Sequence, residues 1–306
     1  MAIKLIKYPL NDSLELLNFK EKIETVRQKY GAKNPFTDTN LLVACLDTIG
    51  AEEAYLAFFQ DEEVPTDFII LKNSQSSLFR TPIPPEFPHF YNLSMEEIIN
   101  LIKSEFGEVL LTNVLFKNPN PELFKTSPLG TSLTVKHYWK LQVPEDFDRW
   151  VYKVKPKNQE KFSKIIKEYS KGRIEAVSIL DPLEVQQRVD LALNKKTDLP
   201  LLSKNLLTTM LLELQTVGFK FEYTAIHIEG WEVGAMLSFL YRNSLYVLSL
   251  WTFFENSKYE VEDLLILNAL KEASNNKVSE IFILQDLNLK AIPAEEVTLF
   301  DFYLSK

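Results

Sequence analysis

Apolar and polar positions follow two rhythms along this chain, and each change of rhythm marks an element. An apolar residue every three or four positions predicts a helix with one buried stripe, and every second position a half-buried strand. The helical rhythm fills residues 13–30 through Leu16, Leu17, Phe19, Ile23 and Val26, then residues 39–49, where Gly50 stops it. Strand-like runs follow at 54–60, 68–72 and 77–81. Pro82, Pro84, Pro85 and Pro88 then predict loop, because proline lacks the N–H that a ladder needs. Ser94 and Glu97 have capping-box spacing ahead of a helix reaching Phe106. Residues 109–116 predict a strand, 118–130 a proline-interrupted loop, 133–143 a long alternating strand and 144–150 a turn or short helix.

The second half repeats this order. An amphipathic helix over 157–171 sets Phe162, Ile165, Ile166 and Tyr169 against a stripe of Lys157, Lys161, Lys164 and Lys171. A strand at 174–179 leads to Asp181-Pro182, a cap with proline at the favoured first helical position, and a helix to about Asn194. A helix over 203–216 ends at Gly218. Strands at 219–228, 231–242 and 245–251 are joined by Glu229-Gly230 and Asn243-Ser244, both hairpin signals. Residues 259–273 are apolar over most of a helical surface, which predicts a helix buried between layers. Strands at 280–284 and 297–304 close the pattern. Each half thus runs through helices, three meandering strands, a helix and a strand. The class is α+β, mixed and mostly antiparallel sheets flanked by helices.

With 306 residues, about two domains are expected, divided at 1–145 and 146–306. The eight glycines exclude GxGxxG and P-loop phosphate cradles, since the nearest pair is Gly230 and Gly234. The single cysteine, Cys45, lies in an apolar stretch and reads as a buried, inert thiol. His89, His137 and His227 lack metal-ligand spacing, so no metal is expected. His137 falls on the apolar side of its strand and reads as a core histidine. A net charge of -8 argues against duplex nucleic acid as a partner. The exception is 153–173, where eight basic residues face only Glu160 and Glu168. No apolar run has the length of a membrane span, and the opening residues lack a signal-peptide core, so a cytoplasmic protein of a bacterium-like cell is expected.

The stretch His227-Ile228-Glu229-Gly230-Trp231-Glu232-Val233-Gly234-Ala235, the strand Leu245-Tyr246-Val247-Leu248-Ser249-Leu250-Trp251 and the helix Glu262-Asp263-Leu264-Leu265-Ile266-Leu267-Asn268-Ala269-Leu270 resemble the GNAT acyltransferase superfamily in their order. The whole chain is similar to its tandem CelD-like and FemAB-like members, in which a Lys/Arg-rich helix precedes the second domain. The resemblance implies two tandem GNAT-like domains, the first degenerate because its hairpin at 59–65 lacks glycine. It implies transfer of an acyl or aminoacyl group from a thioester or ester donor, acyl-CoA among them, to a small-molecule or amine acceptor.

The family seats the donor's pyrophosphate at the start of the helix after the fourth strand, where unpaired N–H groups and the helix dipole favour an anion. Carried onto this sequence, Leu250 and Trp251 with Asn256, Ser257 and Lys258 become the cofactor-binding candidates. The loop at 252–259 has no glycine, and Glu255 and Glu260 oppose an anion. A non-catalytic GNAT-like module that binds a ligand or partner therefore stands as the alternative. Tyr246 is the candidate general acid, since a phenol can protonate a leaving thiolate, and Glu222 the candidate base. Both also have plain readings, Tyr246 as strand packing and Glu222 as a solvated carboxylate. The lysine stripe is either a guide for an anionic substrate or a solvated face.

Overall fold

The computed structural model describes residues 3–29, 34–75, 78–80, 89–90, 94–116, 131–195, 211–212, 215, 218–254, 259–285, 287, 289 and 292–304. They form two compact units, Met1–Lys136 with Thr298–Lys306, and His137–Val297. Each is α+β, with a mixed, mostly antiparallel sheet flanked by helices.

The first unit contains β1 (Lys4–Leu10), α1 (Lys20–Lys29), α2 (Thr39–Ile49), β2 (Ala54–Asp61), β3 (Val64–Gln75), β4 (Leu78–Arg80), the short β5 (His89–Phe90), α3 (Met95–Phe106) and β6 (Val109–Phe116). The single helix expected over 13–30 divides in two. Asp12 accepts a hydrogen bond from the Glu15 N–H, and the chain runs as a 3-10 helix from Ser13 to Phe19 before α1 begins. The tighter 3-10 winding suits a short lead-in to an α-helix. The capping box of α3 forms as its spacing predicts: the Glu97 N–H donates to Ser94 Oγ at 3.2 Å and the Ser94 N–H to Glu97 Oε2 at 2.9 Å. Ile98, Ile99 and Ile102 then face the sheet and pack with Phe59, Ile69, Leu71 and Leu111, each isoleucine contributing roughly 2 kcal/mol by its burial. The strand order is β1-β2-β3-β4-β6-β13, where β13 is Glu295–Leu304. Neighbours pair antiparallel except β4 and β6, which run parallel with α3 as their crossover.

The second unit opens with β7 (Thr131–Gln142, from His137 onward), then α4 (Phe147–Val151), α5 (Pro156–Ser170), β8 (Ile174–Ile179), α6 (Pro182–Lys195), β9 (Phe221–Ile228), β10 (Trp231–Tyr241), β11 (Ser244–Thr252), α7 (Val261–Asn275) and β12 (Glu280–Ile283). Most of the helix expected at 203–216 lies outside the described residues, as does the loop expected at 118–130. Glu229 and Gly230 both take positive φ, 51° and 83°, as the two central residues of a tight hairpin require. The order is β7-β12-β11-β10-β9-β8, with β11 and β12 parallel across α7 and the remaining pairs antiparallel. Both units therefore share one plan, a meander followed by a parallel crossover and a final antiparallel strand. The boundary expected after residue 145 lies inside the second unit, and residues 298–304 complete the first. That exchange is invisible to local pattern because pairing partners lie far apart in sequence.

On one face of the second sheet, α4, α5 and α7 bury Phe147, Phe162, Ile165, Leu264 and Leu267 against Ile226, Met236, Val247 and Leu250. On the other face Tyr223 stacks on Trp251 and Phe239 on Tyr246, and α6 packs on β9.

Candidate functional site

Among the described residues, the pairing of β11 with β12 stops at Val247, and an extra residue in β11 lies next to that point. Leu237 pairs with Ser249 but its neighbour Ser238 pairs with Val247, so Leu248 is a β-bulge in β11. Bulges bend a strand and re-aim its side chains, and they gather beside active sites. Here the bulge puts both Val247 and Leu250 into the core against α7, although three positions of regular strand would send them to opposite faces. The ladder with β12 ends at the same level: Ser244–Val247 pair with Glu280–Ile283, and the Leu284 N–H closes on the Val247 carbonyl at 2.9 Å. Beyond it β11 runs on to Thr252 while β12 has ended. The Leu250 N–H points to that side and donates to Oε1 of Gln285 at 2.8 Å.

The helix that follows is fixed by close approach. A Cβ on Gly234 would press against Cγ1 of Val261 and stand 2.6 Å from the Trp251 carbonyl oxygen. Only glycine lets the first turn of α7 lie on the β10–β11 ladder. That turn carries Glu260 at the N-cap, then Glu262 and Asp263. Lys161 of α5 ion-pairs with Asp263 and reaches Glu260 at 2.7 Å. Burial raises the Asp263 carboxyl above the ordinary aspartate range, against the pull of the Lys161 ammonium. The hydrogen bond from Lys161 lowers Glu260. Burial pulls Lys161 down, and its two carboxylate partners more than offset this, leaving it raised. One member of the lysine stripe is thus an interhelical tie. Lys171 lies 3.6 Å from Glu168, while Lys157 and Lys164 are exposed.

Replacing Lys161 by methionine leaves Asp263 buried without its cation, and should cost about 1–2 kcal/mol at neutral pH, less than a fully buried pair because Lys161 is one-third exposed. The raised Lys161 contributes stability that is complete below the ordinary lysine pKa and is lost as pH rises through the folded value. The raised Asp263 weakens the fold when ionised, and the loss is relieved as pH falls through its folded pKa. Thermal melts of Lys161→Met should therefore recover toward wild type on acidification and lose the alkaline dependence; parallel curves at every pH would refute the tie.

On the opposite face Tyr223 donates to Oε1 of Glu232 at 2.9 Å, and Nη1 of Arg188, from α6, donates to Oε2 at 3.4 Å. Burial, then the nearby Glu232 charge, raises the Tyr223 phenol far above its ordinary range, so it stays a donor. Its ring stacks on Trp251 at 6.1 Å, and Lys195 lies over the Phe253 ring at 4.7 Å. Register puts this cluster at the open end of β11, since the Phe253 N–H donates to the Val233 carbonyl beside Glu232.

The residues expected from sequence are distributed as follows. Leu250 and Trp251 lie on the part of β11 that runs past β12, still paired with Met236 and Ala235 of β10, and both are buried. Tyr246 lies below the bulge, paired with Phe282 in the closed ladder and stacked between Phe239 and Phe282 at 5.4 and 4.9 Å. Glu222 pairs with Ser238 and accepts from Thr224 Oγ1 at 3.2 Å, two strands and about 10 Å from β11. The structure does not gather Tyr246, Glu222 and Leu250 at one point. Asn256, Ser257 and Lys258 lie outside the described residues. Sequence reasoning missed Arg188, Glu232, Gln285 and the Leu248 bulge. Only the acidic Glu232 beside the hairpin glycines carried any local signal.

Among the described residues, three carboxylates and one already engaged ammonium stand at the start of α7, a set that does not fit a pyrophosphate. No group of three or more His, Cys, Asp or Glu side chains able to hold a metal occurs among the described residues. No described helix is long and apolar enough to cross a membrane.

No protein-family model matches the sequence, and no curated protein matches it. Solved structures do match in fold. FemX aligns over 98% of this chain and 97% of its own, with TM-score 0.53 and 8% identity. A conserved protein of unknown function from Bacteroides thetaiotaomicron aligns over 99% and 100%, with TM-score 0.53 and 12% identity. A tandem GNAT protein from the clavulanic acid biosynthesis pathway aligns over 98% and 97%, with TM-score 0.50 and 13% identity. The chain thus has a GNAT-like fold.

Proposed function

We propose that the second unit transfers an acyl or aminoacyl group from an ester or thioester donor to an amine, at the opening where β11 leaves β12. The observation that carries this reading is the Leu250 N–H, turned to the unpaired side of a bulged strand. A carbonyl oxygen seated there would gain negative charge as the amine attacks. A backbone donor already in place stabilises that charge without having to reorganise. For the proton, Glu232 is favoured over Glu222 and Tyr246. It is a carboxylate oriented by Tyr223 and Arg188 at the open end of β11, whereas Tyr246 is packed into the closed ladder.

The donor is held through its carbonyl and acyl arm rather than through a pyrophosphate on α7. S-acetyl-pantetheine, which keeps the thioester and lacks the pyrophosphate, should raise the melting temperature at least as much as acetyl-CoA at equal concentration. Glu260→Gln should improve acetyl-CoA alone. In a transfer assay with an amine acceptor, Glu232→Gln should lower kcat by about 100-fold and Glu222→Gln by far less.

The second reading is a binding module without catalysis, in the GNAT-like fold. The acidic start of α7 favours it, because Glu260, Glu262 and Asp263 disfavour a pyrophosphate there and Lys161 is already engaged with two of them. Absence of a thermal shift with acetyl-CoA, S-acetyl-pantetheine and alanine ethyl ester would remove the transfer reading in its favour.

A further inference from the structure

We propose that Gln285 is a built-in competitor for the donor site: its side-chain amide stands where the donor's carbonyl would bind, and the donor must displace it. This rests on the transfer reading above. Past the last backbone bond of the parallel ladder, Leu284 N–H to the Val247 carbonyl, the Gln285 side chain accepts from the Leu250 N–H. An amide Oε1 has the same acceptor geometry and nearly the same size as an ester or thioester oxygen. The bond is therefore a copy, within the chain, of the contact that the reaction needs.

The copy also has a physical reason to exist. The Leu250 N–H belongs to a residue 6% exposed, beyond the reach of β12. Left unmade, a buried donor costs more than a made bond contributes. Gln285 satisfies it with a side chain, which can rotate away without unzipping a strand. A backbone partner would have to leave as part of β12. Affinity for a donor is then lowered by the free energy of the Leu250–Gln285 bond, a fixed reduction that any tight donor must overcome. Gln285 thereby raises the threshold for weak carbonyl ligands such as ordinary amides, and acts as a specificity-determining residue.

Three proteins test this: wild type, Gln285→Ala and Gln285→Glu. Hydrogen exchange at the Leu250 amide is followed without ligand, and dissociation constants for S-acetyl-pantetheine and alanine ethyl ester by NMR titration. In Gln285→Ala, Leu250 should exchange at least tenfold faster, and the binding probe should bind about three to ten times more tightly, the worth of one hydrogen bond. In Gln285→Glu, the charged acceptor should hold the N–H more strongly and repel a carbonyl, weakening binding by a similar factor. A side chain that merely supports the site would give the opposite sign for alanine. Unchanged or weaker binding by Gln285→Ala overturns the proposal. If the alanine variant fails to fold, equal or tighter binding by the nearly isosteric Gln285→Glu overturns it. If neither probe binds any of the three proteins, the transfer reading itself fails and the competitor fails with it. If wild type binds a probe and Gln285→Ala binds it no better, only the competitor fails.

Discussion

Replacing Arg27 by methionine should cost the first unit about 3–5 kcal/mol, the penalty for removing one member of a buried ion pair. A calorimetric or fluorescence melt should show a fall of roughly 10 °C. The Arg27 side chain is only 2% exposed, on the last turn of α1. It ion-pairs with Glu24 and, at 3.5 Å, with Asp38. Its Nε donates to Thr37 Oγ1 at 3.1 Å and its Nη2 to the Asn34 carbonyl at 3.4 Å. Asp38 in turn caps α2, accepting from the Asn40 N–H at 3.0 Å. One guanidinium therefore ties α1, the turn at 34–38 and the start of α2. Methionine fills much of the volume, so the loss would report the stranded carboxylates and carbonyl rather than a cavity. Lysine keeps the charge but has no fork to span these partners, and Arg27→Lys should recover less than half of the loss. A melting point within 1 °C of wild type for the methionine variant would show that the network contributes nothing.

The second large effect is expected at Gly234. Alanine there should destabilise the second unit by about 3 kcal/mol, the upper part of the range for overpacking. The stiff Val261 side chain and the Trp251 carbonyl oxygen both lie too close to a new methyl, and neither has a flexible end to move aside. Relief requires α7 or β11 to shift, and β11 carries the Leu250 N–H. Gly234→Ala should therefore lose donor binding at temperatures where it is still folded, whereas a substitution of similar cost on the sheet's other face should lose stability alone. Unaltered donor affinity in a folded Gly234→Ala protein would mean that the opening does not depend on this packing.

What could be read from the sequence was local. The capping box at Ser94 and Glu97, the stop at Gly50 and the Glu229-Gly230 hairpin each need only neighbouring residues, and each forms. The order of strands and crossover helices was legible for the same reason, and order was enough to suggest the fold. The bulge at Leu248 was not legible, because it exists only in the register between β10 and β11. Gln285 meets a residue 35 positions away, and Lys161 a carboxylate 99 positions away. A lysine stripe reads the same whether it is solvated or tied down. The site candidates diverged from the observed clusters where a strand position had to be converted into a direction. Tyr246 and Trp251 both face the aromatic layer, yet they lie on opposite sides of the point where β12 stops.

The allocation of strands bears on the order in which the chain can acquire its structure. Chains emerge from the ribosome N-terminus first, and domains commonly fold in that order. Here the first unit begins with β1 but its sixth strand is β13, whose residues 298–304 are made after all of the second unit's own strands. The second unit has β7 through β12 in hand earlier. The second unit therefore needs no strand made after residue 297, whereas one edge of β6 needs a partner nearly two hundred residues downstream. A released chain truncated after residue 297 should give a protease-resistant second unit attached to a first unit that is still open to cleavage.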